Sequence, residues 1–539
     1  MSLTSWLDKG ASLAADAPCL TMAGRSSSYG EVQAFSWSVA RALVRSGVRP
    51  GDSVAILSGN DPTSFACVFG IARAGAVWCP INPRNEATEN RELLDLFECR
   101  ALLYQASYAP LVEAIRADLP ALTTLVCLDS AYVADPHLDD WLLDPDTSDT
   151  PDPAMLANKS GALLANKAPD LSATMAVGEE SEPPDDVVAL VGTGGTTGRP
   201  KGVRLTGRNL ETMSAITLMS YPFTDRPVYL ALAPLTHAAG VLCFPVMALG
   251  GEIVVMPAPD LGELLELVAQ HRVTHTFLPP TLIYMLLEHP DLPTADLRSL
   301  QCLWYGAAPM SAVKLAEAIE RIGPVFGQLF GQSEAPMMIS TMAPDDHVHP
   351  DGTLARERFG SAGRPSPLVT VAIMDTEGQL LPAGERGEVV VRSSLVMAGY
   401  HRNPEATAEA SAFGWHHTGD IGYLDDDGWL FLVDRAKDMI ISGGFNVYSA
   451  EVEQALMAHP GVQDCAVVGL PDEKWGERVV AVLQQRPGST LDPQEVRAFV
   501  KARIGSVKAP KEELVWDDLP RSKVGKVVKP EIRGQLLRT

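Results

Sequence analysis

Residues 191–202, VGTGGTTGRPKG, contain five glycines, three threonines and one lysine, and this stretch decides how the chain is interpreted. A Walker phosphate loop places its lysine directly before a serine or threonine and begins a helix at once. Here Lys201 lies between Pro200 and Gly202, and the following VRLT is rich in β-branched residues, which favour a strand. The pattern predicts strand–loop–strand and argues against a P-loop kinase or NTPase.

The loop nevertheless has the composition of a phosphate-binding segment. Glycines let backbone N–H groups turn toward an anion, while threonine hydroxyls and a lysine ammonium add further donors. The candidate phosphate-binding residues are Thr193, Gly194, Gly195, Thr196, Thr197, Gly198 and Lys201. The alternative is a merely flexible glycine loop, and the number of donors in one place weighs against it.

Length and composition indicate a globular protein of two or more domains. The chain has 539 residues, of which 46% are apolar and 20% charged. It contains no apolar run of about 18 residues and no signal-peptide pattern, so we expect a cytoplasmic protein without a transmembrane segment. The eight cysteines are scattered without metal-ligand spacing, and we expect them in the core.

The charge is negative overall but unevenly distributed. The formal net charge of −24 argues against nucleic acid as a partner. Residues 501–539 carry ten Lys or Arg against five Asp or Glu, a local charge of +5, so the rest of the chain carries −29. This basic end is either a solvated surface or a site for a polyanionic ligand.

The alternation of helix and strand patterns predicts a layered α/β protein with a mostly parallel sheet. Residues 144–186 interrupt it with ten acids and six prolines, which predicts a surface connection. Short β-like segments over residues 360–434 predict a small antiparallel sheet or barrel. Beyond DRAKD (434–438), two helices and two strands fit a compact domain of ~100 residues.

Six further motifs follow the loop in a fixed order. They are PLTHAAG (234–240), WYGAAPM (304–310), FGQSEAPMM (330–338), WHHTGD (415–420), ISGGFNVYSAEVE (441–453) and LPRSKVGKVVKPEI (519–532). Together with the loop they resemble the adenylate-forming (AMP-binding) superfamily: acyl-CoA synthetases, luciferases and peptide-synthetase adenylation domains. The resemblance implies an N-terminal domain (1–436) of layered α/β subdomains with a small β-barrel. A mobile α+β C-terminal domain (437–539) completes it.

The resemblance also implies which residues bind ATP. Gly194 departs from the family's usual serine and removes one hydroxyl donor. Phe330 replaces a tyrosine and keeps a ring for stacking on adenine, whereas Ser333 replaces a threonine that would hydrogen-bond the α-phosphate. Glu334 would hold Mg²⁺, and Asp420 would accept hydrogen bonds from the ribose. The remaining expected ATP contacts beyond the loop are Gly306, Ala307, Ala308, Gly331, Gln332 and Arg435.

Catalytic and coenzyme A residues follow from the same resemblance. Lys526 is expected to reach the reacting carboxylate, His237 to border the acid, and Lys437 to mark the domain hinge. The expected coenzyme A contacts are Gly443, Gly444, Phe445, Trp475 and Lys508. Two simpler interpretations stay open: a tight turn before a helix capped by Ser449, and a tryptophan packed on the small domain's surface.

The segments expected to line the acyl pocket are apolar and offer no Arg or Lys for a second carboxylate. They are His237, Ala238, Ala239, Gly240, Tyr305, Met337 and Met338. We therefore expect an ATP-dependent acyl-CoA synthetase for a hydrophobic monocarboxylic acid, either a medium- or long-chain fatty acid or an aromatic or ring-bearing acid. ATP, Mg²⁺ and coenzyme A are its expected cofactors and co-substrates, with acyl-adenylate as intermediate and AMP and pyrophosphate as products.

Other functions stay open at this point. Acyl-AMP ligases, luciferase-like enzymes and stand-alone adenylation enzymes share these motifs. A peptide-synthetase adenylation domain needs an acidic residue near 231–240 to pair the substrate amine, and that segment contains none. A non-catalytic acyl or nucleotide sensor is the alternative of another class, and intact Glu334, Asp420, Arg435 and Lys526 argue against it. A homodimer is left open.

Overall fold

The computed structural model describes residues 3–130, 135–143, 186–193, 200–235, 238–435, 438–442, 445–472, 474–521 and 527–538. The predicted surface connection lies outside these ranges except for its last residue, Asp186. The domain boundary between residues 436 and 437 also falls on residues that are not described. Both therefore stay predictions.

The strands of the described chain alternate with helices over most of its length. In chain order they are β1 (Pro18–Met22), β2 (Arg25–Ser28), β3 (Ser53–Leu57), β4 (Val77–Ile81), β5 (Ala101–Tyr104), β6 (Thr124–Cys127), β7 (Val187–Thr193), β8 (Lys201–Thr206), β9 (Val228–Ala231), β10 (Glu252–Val255), β11 (His275–Phe277), β12 (Cys302–Gly306), β13 (Phe326–Gln332), β14 (Ala335–Met342), β15 (Arg364–Pro365), β16 (Thr370–Met374), β17 (Gly387–Arg392), β18 (His416–Leu424), β19 (Leu430–Arg435), β20 (Ile440–Ser442), β21 (Phe445–Val447), β22 (Val462–Asp472), β23 (Gly476–Gln485) and β24 (Glu512–Trp516).

The helices lie between these strands, and several of them begin after a residue whose side chain caps the first turn. They are α1 (Thr4–Ala14), α2 (Tyr29–Arg45), α3 (Pro62–Arg73), α4 (Ala87–Leu96), α5 (Ala109–Ile115), α6 (Leu138–Leu142), α7 (Gly207–Ser220), α8 (Ala238–Ala248), α9 (Leu261–His271), α10 (Pro280–Leu287), α11 (Ala312–Ile322), α12 (Pro404–Ala410), α13 (Ser449–Met457), α14 (Pro493–Lys508) and α15 (Lys529–Leu536). Ser28 and Glu31 form a capping box on α2, and Asp61 caps α3.

Two mostly parallel sheets form the larger part of the molecule. One has six strands in the order β6-β5-β3-β4-β7-β8, and the other has nine in the order β15-β14-β13-β12-β11-β9-β10-β1-β2. Antiparallel pairs occur at the edges, where β8 joins β7, β2 joins β1, and β14 and β15 extend β13. The predicted layered α/β class is confirmed, and so are the two strands that flank the phosphate loop.

Helices fill the space between these sheets with large apolar side chains. The ring of Trp6 on α1 stacks on Phe244 of α8 with centroids 4.7 Å apart. Helices α2 and α3 approach closely at Gly70, where a Cβ atom would lie 2.4 Å from a methyl group of Val39. All eight cysteines are buried and none forms a disulfide bond, which confirms their prediction as core residues. Among the described residues, no helix has the length and apolar character needed to span a membrane.

The β-rich part at residues 360–434, where the strand pattern predicted a small antiparallel sheet or barrel, is a four-stranded antiparallel sheet. Strands β16 to β19 pair in the linear order β16-β17-β18-β19, and the described strands show no pairing between β16 and β19 that would close the barrel implied by the resemblance. The C-terminal part contains a separate five-stranded sheet, β21-β20-β23-β22 with β24 beside β23, accompanied by α13, α14 and α15. This is the predicted smaller α+β unit.

Two buried histidines predict that the protein loses stability in mild acid. Burial lowers the pKa of both His275 and His347 to about 4. Their unfolded-state pKa is about 6.5, so between these values the unfolded chain binds more protons than the folded protein. Stability from the neutral rings is fully present above pH 6.5 and is lost as the pH falls toward 4.

At pH 5, this difference is expected to cost about 2 kcal/mol per histidine relative to neutral pH. Urea unfolding at pH 7.5 and pH 5 measures it. The variant His275→Gln should have a lower stability at pH 7.5 but a smaller loss on acidification, whereas His349→Gln, at a partly exposed site, should keep the wild-type loss. Equal pH dependence in all three proteins would contradict the assignment.

Candidate active site

The two ends of the predicted phosphate loop lie side by side at the end of a sheet. Thr193 ends β7 and pairs in antiparallel register with Lys201, which begins β8. The hydroxyl of Thr193 donates to the carbonyl of Lys201 at 3.3 Å. Thr193 and Lys201 are therefore the paired ends of a hairpin. The predicted phosphate-binding residues between them lie outside the described residues: Gly194, Gly195, Thr196, Thr197 and Gly198.

A tyrosine connects the base of this loop to the predicted magnesium ligand. The hydroxyl of Tyr400 donates to Glu334 Oε1 at 2.8 Å, and Lys201 Nζ lies 4.9 Å from the centroid of the Tyr400 ring. Burial, followed by the charge of Glu334, raises the pKa of Tyr400, so its hydroxyl remains a donor. A carboxylate, a phenol and an ammonium thus lie together although the sequence separates them by up to 199 positions.

Backbone pairing fixes Tyr400 in that place. The segment around it lies along β8: the N–H of Arg204 donates to Gly399 O at 3.0 Å, and the N–H of His401 donates to Gly202 O at 2.7 Å. Val203 and Tyr400 form the antiparallel bridge between these two bonds. Because main-chain bonds flank Tyr400 on both sides, its position over Lys201 is set by the backbone.

Glu334 lies in the tight turn between β13 and β14. Ser333 and Glu334 form the turn, and the N–H of Met397 donates to Glu334 O at 2.7 Å. Gly331 is required here, because a Cβ atom would lie 2.5 Å from the backbone nitrogen of Met337. Met337 itself has a positive φ of 61°, which is unusual for a residue with a side chain. The predicted nucleotide motif is thus a strained, closely packed hairpin.

A histidine joins this hairpin to β18, which carries Asp420. Gln332 Nε2 lies 3.1 Å from His416 Nε2, and burial lowers the pKa of His416 while the charge of Glu334 opposes that shift. Side chains alternate along a strand, so His416, Thr418 and Asp420 share one buried face of β18. Asp420 therefore lies on the same face as the residue that contacts the Glu334 hairpin.

The segment predicted to contact adenine also has a constrained backbone. Gly306 ends β12, and a Cβ atom there would lie 2.2 Å from the carbonyl oxygen of Leu329 on β13. Ala307 follows with a φ of 66°, in the left-handed region. Ala307 is exposed and Ala308 is partly exposed, so small residues leave this edge of the sheet open. A flat ring could approach the backbone closely at this point.

The residues predicted to line the acyl pocket have different environments. Tyr305 is fully buried, with its hydroxyl 3.2 Å from Gln328 Oε1 and 2.9 Å from His347 Nε2. Met338 is also fully buried, whereas Met337 and Phe330 are partly exposed. Gly240, near the start of α8, lies where a Cβ atom would collide with Leu235 O. A pocket role for these residues stays a prediction.

Three of the predicted coenzyme A residues lie within the described part of the chain. Phe445 is 59% exposed and Trp475 is 39% exposed, and Lys474 Nζ lies 4.8 Å from the centroid of the Trp475 ring. Lys508 is not free, because its Nζ donates to Glu451 Oε1 at 2.5 Å. Coenzyme A binding by any of them stays a prediction.

Several predicted site residues cannot be placed. His237, Lys437, Gly443, Gly444 and Lys526 lie outside the described residues, and Ala238, Ala239 and Arg435 are described for their backbone alone. In the register of the sheet, Arg435 on β19 lies opposite Asp420 on β18.

The sequence predicted no role for Tyr400 or His416, because neither residue belongs to a spacing pattern of its own. The feature that could have pointed to Tyr400 is the lone tyrosine of GYHRN, just before α12.

The donor set is compatible with Mg²⁺ that arrives with ATP. Magnesium in nucleotide enzymes is usually bound by one or two carboxylates together with substrate phosphates. Within the described ranges, no group of three or more His, Cys, Asp or Glu side chains could form a metal cage. Glu334, which has a hydrogen bond from Tyr400 to one of its oxygens, fits the role of a single protein carboxylate.

Comparison with known proteins identifies the family. A family model described as AMP-binding enzyme matches residues 7–401, and one described as AMP-binding enzyme C-terminal domain matches residues 451–526. The medium/long-chain-fatty-acid–CoA ligase FadD8 of Mycobacterium tuberculosis is 43% identical over 360 residues, which cover 66% of this chain and 62% of that protein. Feruloyl-CoA synthase of an Amycolatopsis species is 35% identical over 539 residues, 98% of each chain.

A solved structure gives the same result for the fold. The amide bond synthetase McbA of Marinactinospora thermotolerans is 30% identical, with 99% of each chain covered and a TM-score of 0.82. The motif order, the two family models and this likeness agree, so the resemblance predicted from the sequence is confirmed. The chain belongs to the AMP-binding enzyme family, and it carries both the large domain and the C-terminal domain of that family.

Proposed function

We propose that the protein is an ATP-dependent acyl-CoA synthetase for a hydrophobic monocarboxylic acid. In the first half-reaction the acid's carboxylate attacks the α-phosphate of ATP, which gives an acyl-adenylate and releases pyrophosphate. In the second, the thiol of coenzyme A attacks the acyl carbon, and AMP leaves. The observation that carries this proposal is the convergence of Lys201, Tyr400 and Glu334 beside the ends of the phosphate loop.

The class of ligase follows from the family. FadD8 and the feruloyl-CoA synthase are both CoA ligases by name, and the second matches this chain over 98% of its length. At the level of the family, the prediction of an AMP-forming acid–thiol ligase is confirmed. The identity of the acid, the roles of single residues, a cytoplasmic location and a homodimer are finer statements, and they remain proposals.

The chemistry of the first half-reaction explains the charges in the site. A carboxylate and a triphosphate repel each other, so the barrier is largely electrostatic. Lys201 and the loop donors would bind the phosphates, and Glu334 would hold Mg²⁺. The ion, when bound, neutralises charge on the phosphate oxygens. Asp420 would orient the ribose by accepting hydrogen bonds from the ribose hydroxyls. Lys526 would bring a positive charge to the reacting carboxylate.

The second half-reaction needs a different arrangement of the same parts. After pyrophosphate leaves, the C-terminal domain is proposed to turn about Lys437, withdraw Lys526 and present the 443–446 segment to the site. Such a movement controls access and does not itself accelerate bond formation. The exposed Phe445 and the exposed ring of Trp475 between lysines are consistent with a surface that receives a ligand after the turn.

A hydrophobic acid is supported by the residues near the site and by the two curated relatives. The predicted pocket segments contain small or apolar residues, with no cation for a second carboxylate. FadD8 is named for medium- and long-chain fatty acids, and the other relative for ferulate. We propose that this chain accepts an acid from one of these two classes, aliphatic or aromatic.

One assay tests the function as a whole. Purified protein is mixed with ATP, Mg²⁺ and a panel of fatty, aromatic and ring-bearing acids, with and without coenzyme A, and pyrophosphate and acyl-CoA are measured separately. We expect both products with at least one hydrophobic acid. Pyrophosphate without thioester would overturn the coenzyme A step, and amide formation with added amines would favour the activity for which McbA is named. Release of neither product would favour a non-catalytic sensor.

Removing the hydroxyl of Tyr400 should weaken the site without abolishing it. In Tyr400→Phe the ring over Lys201 remains, but Glu334 loses a hydrogen bond to its charged group, which typically contributes roughly 1.5–3 kcal/mol. We expect the rate of pyrophosphate release to fall about 10-fold or more. The matched control is Tyr108→Phe, a partly buried tyrosine whose hydroxyl is hydrogen-bonded to Ser107. Unchanged kinetics in Tyr400→Phe would contradict a role for this bond.

A further inference from the structure

A buried group of four polar residues joins the two sides of the proposed hinge. Asp434 lies on β19, just before Lys437, while Ser449, Glu453 and Lys529 lie beyond it on α13 and α15. We call these four residues the hinge cluster. Ser449 is fully buried and Asp434 is 8% exposed, so their polar groups depend on each other for hydrogen bonds.

The contacts run from one side of the hinge to the other. Both the N–H and the hydroxyl of Ser449 donate to Asp434 Oδ2, the hydroxyl at 2.7 Å. Lys529 Nζ donates to the Ser449 hydroxyl at 2.6 Å and to Glu453 Oε1 at 2.9 Å. Glu453 Oε1 also accepts from the N–H of Val467 at 2.7 Å, which fixes it to β22.

These contacts also correct one sequence interpretation. Ser449 was expected to cap α13, but Tyr448 occupies the N-cap position and Ser449 is the first helical residue. The serine hydroxyl is therefore used for Asp434 and Lys529 and not for its own helix. A capping serine needs no residue from another domain, so this arrangement calls for an explanation beyond helix initiation.

We propose that the hinge cluster holds the C-terminal domain in the orientation that this structure has, with Ser449 and Lys529 as positioning residues for the half-reaction which that orientation serves. The proposal rests on the proposed function. Ser449, Glu453 and Lys529 move as one body because side-chain bonds connect them, whereas Asp434 stays with the large domain. A turn about Lys437 breaks the Ser449–Asp434 bonds, and the cluster opposes it by the free energy of those bonds.

A second contact across the same boundary supports this interpretation. Arg386, from the large domain, lies 3.8 Å from Glu451 Oε2 and 5.3 Å from the centroid of the Tyr448 ring. Glu451 is the residue that binds Lys508 at 2.5 Å. Because Glu451 and Lys508 both lie in the C-terminal domain, a turn about Lys437 would break the Arg386 contact and keep the Lys508 pair.

The test compares two rates in one protein. If each half-reaction needs its own orientation, the ratio of adenylation rate to thioester rate is proportional to the ratio of the two populations. Loss of a hydrogen bond to Asp434 therefore changes this ratio by the full factor that the bond contributes, whatever the starting populations. Adenylation is followed by pyrophosphate release, and thioester formation is followed from supplied acyl-adenylate and coenzyme A.

In Ser449→Ala we expect the ratio to change about 10-fold or more, in favour of the half-reaction that the present orientation does not serve. The double variant Lys529→Met/Glu453→Gln should shift the ratio in the same direction, and Lys529→Arg, which keeps the donors, should have a ratio close to that of the wild type. The matched control is Arg497→Met/Glu513→Gln, which removes an ion pair between a half-exposed arginine and a buried glutamate, with an N–O distance of 2.5 Å, within the C-terminal domain. Its ratio should stay within about twofold of the wild type. A merely structural role for Ser449 would lower both rates together and leave the ratio unchanged, which would overturn the proposal.

A distance measurement tests the role of the hinge cluster independently of the proposed function. All eight native cysteines are buried, so spin labels can be directed to Val313→Cys and Leu537→Cys, two exposed positions on α11 and α15. Ser449→Ala should shift the distance distribution between the labels, and the control variant Arg497→Met/Glu513→Gln should not. An unchanged distribution would overturn the proposal. A wild-type protein that makes no thioester would instead refute the proposed function, and this distance test would still apply.

Discussion

Replacement of Lys526 by alanine is expected to slow adenylate formation by roughly 10²–10³-fold, the loss typical of removing a group that stabilises charge in a transition state. Negative charge accumulates where the acid's carboxylate meets the α-phosphate, and Lys526 is the cation proposed to reach that point. Thioester formation occurs after the C-terminal domain has turned, when Lys526 is withdrawn. The second half-reaction should therefore be affected much less.

The two half-reactions must be measured separately for this prediction. Pyrophosphate release with acid, ATP and Mg²⁺ reports the first, and acyl-CoA formation from supplied acyl-adenylate reports the second. Lys523→Ala is the matched control, because it removes an equal charge three residues earlier in the same segment. An equal loss in both half-reactions of Lys526→Ala would refute the assigned role, and so would an equal loss of adenylation in the control.

The fold was predictable where local patterns decide it. The β-branched residues after the phosphate loop predicted β8, and the structure has that strand antiparallel to β7. The amphipathic pattern and the Ser28–Glu31 capping box fixed α2. In contrast, the β-like segments at 360–434 predicted a sheet or a barrel without deciding between them, because closure depends on pairing between distant segments. The structure has a four-stranded sheet there. Local sequence carries no information on such pairing.

The site was predictable in its motifs but not in the contacts between them. Glu334 and Lys201 belong to recognisable motifs, whereas Tyr400, which lies against both, comes from a segment with no periodic or spacing signal. The hinge cluster shows the same limit, since Asp434 and Lys529 are 95 positions apart. Buried polar groups find partners wherever the fold brings them, and those partners are visible only after the chain has folded.

Lys508 is bound to Glu451 within the C-terminal domain, and Arg386 of the large domain lies beside the same carboxylate. The proposed turn about Lys437 would remove Arg386 from Glu451 but keep the Lys508–Glu451 pair. The charge around Lys508 would then change with the domain orientation, and so would its proposed attraction for the phosphates of coenzyme A.

The second large effect is expected for Glu334→Gln. The amide keeps an oxygen that can accept from Tyr400, so the hairpin contact survives, but the negative charge proposed to hold Mg²⁺ is lost. Pyrophosphate release should fall by roughly 10²–10³-fold, a loss comparable to that of other transition-state groups. A higher Mg²⁺ concentration should recover part of the rate, because weaker binding of the ion is the direct consequence of the change.

A charge-matched control separates this effect from general electrostatics. Glu98→Gln removes the same charge from an exposed ion pair with Arg402, two residues beyond Tyr400, and surface pairs contribute typically less than about 1 kcal/mol. Its kinetics should match those of the wild type at every Mg²⁺ concentration. If Glu334→Gln behaved like this control at every Mg²⁺ concentration, Glu334 would have no role in holding the ion, and the phosphates of ATP would hold it without this carboxylate.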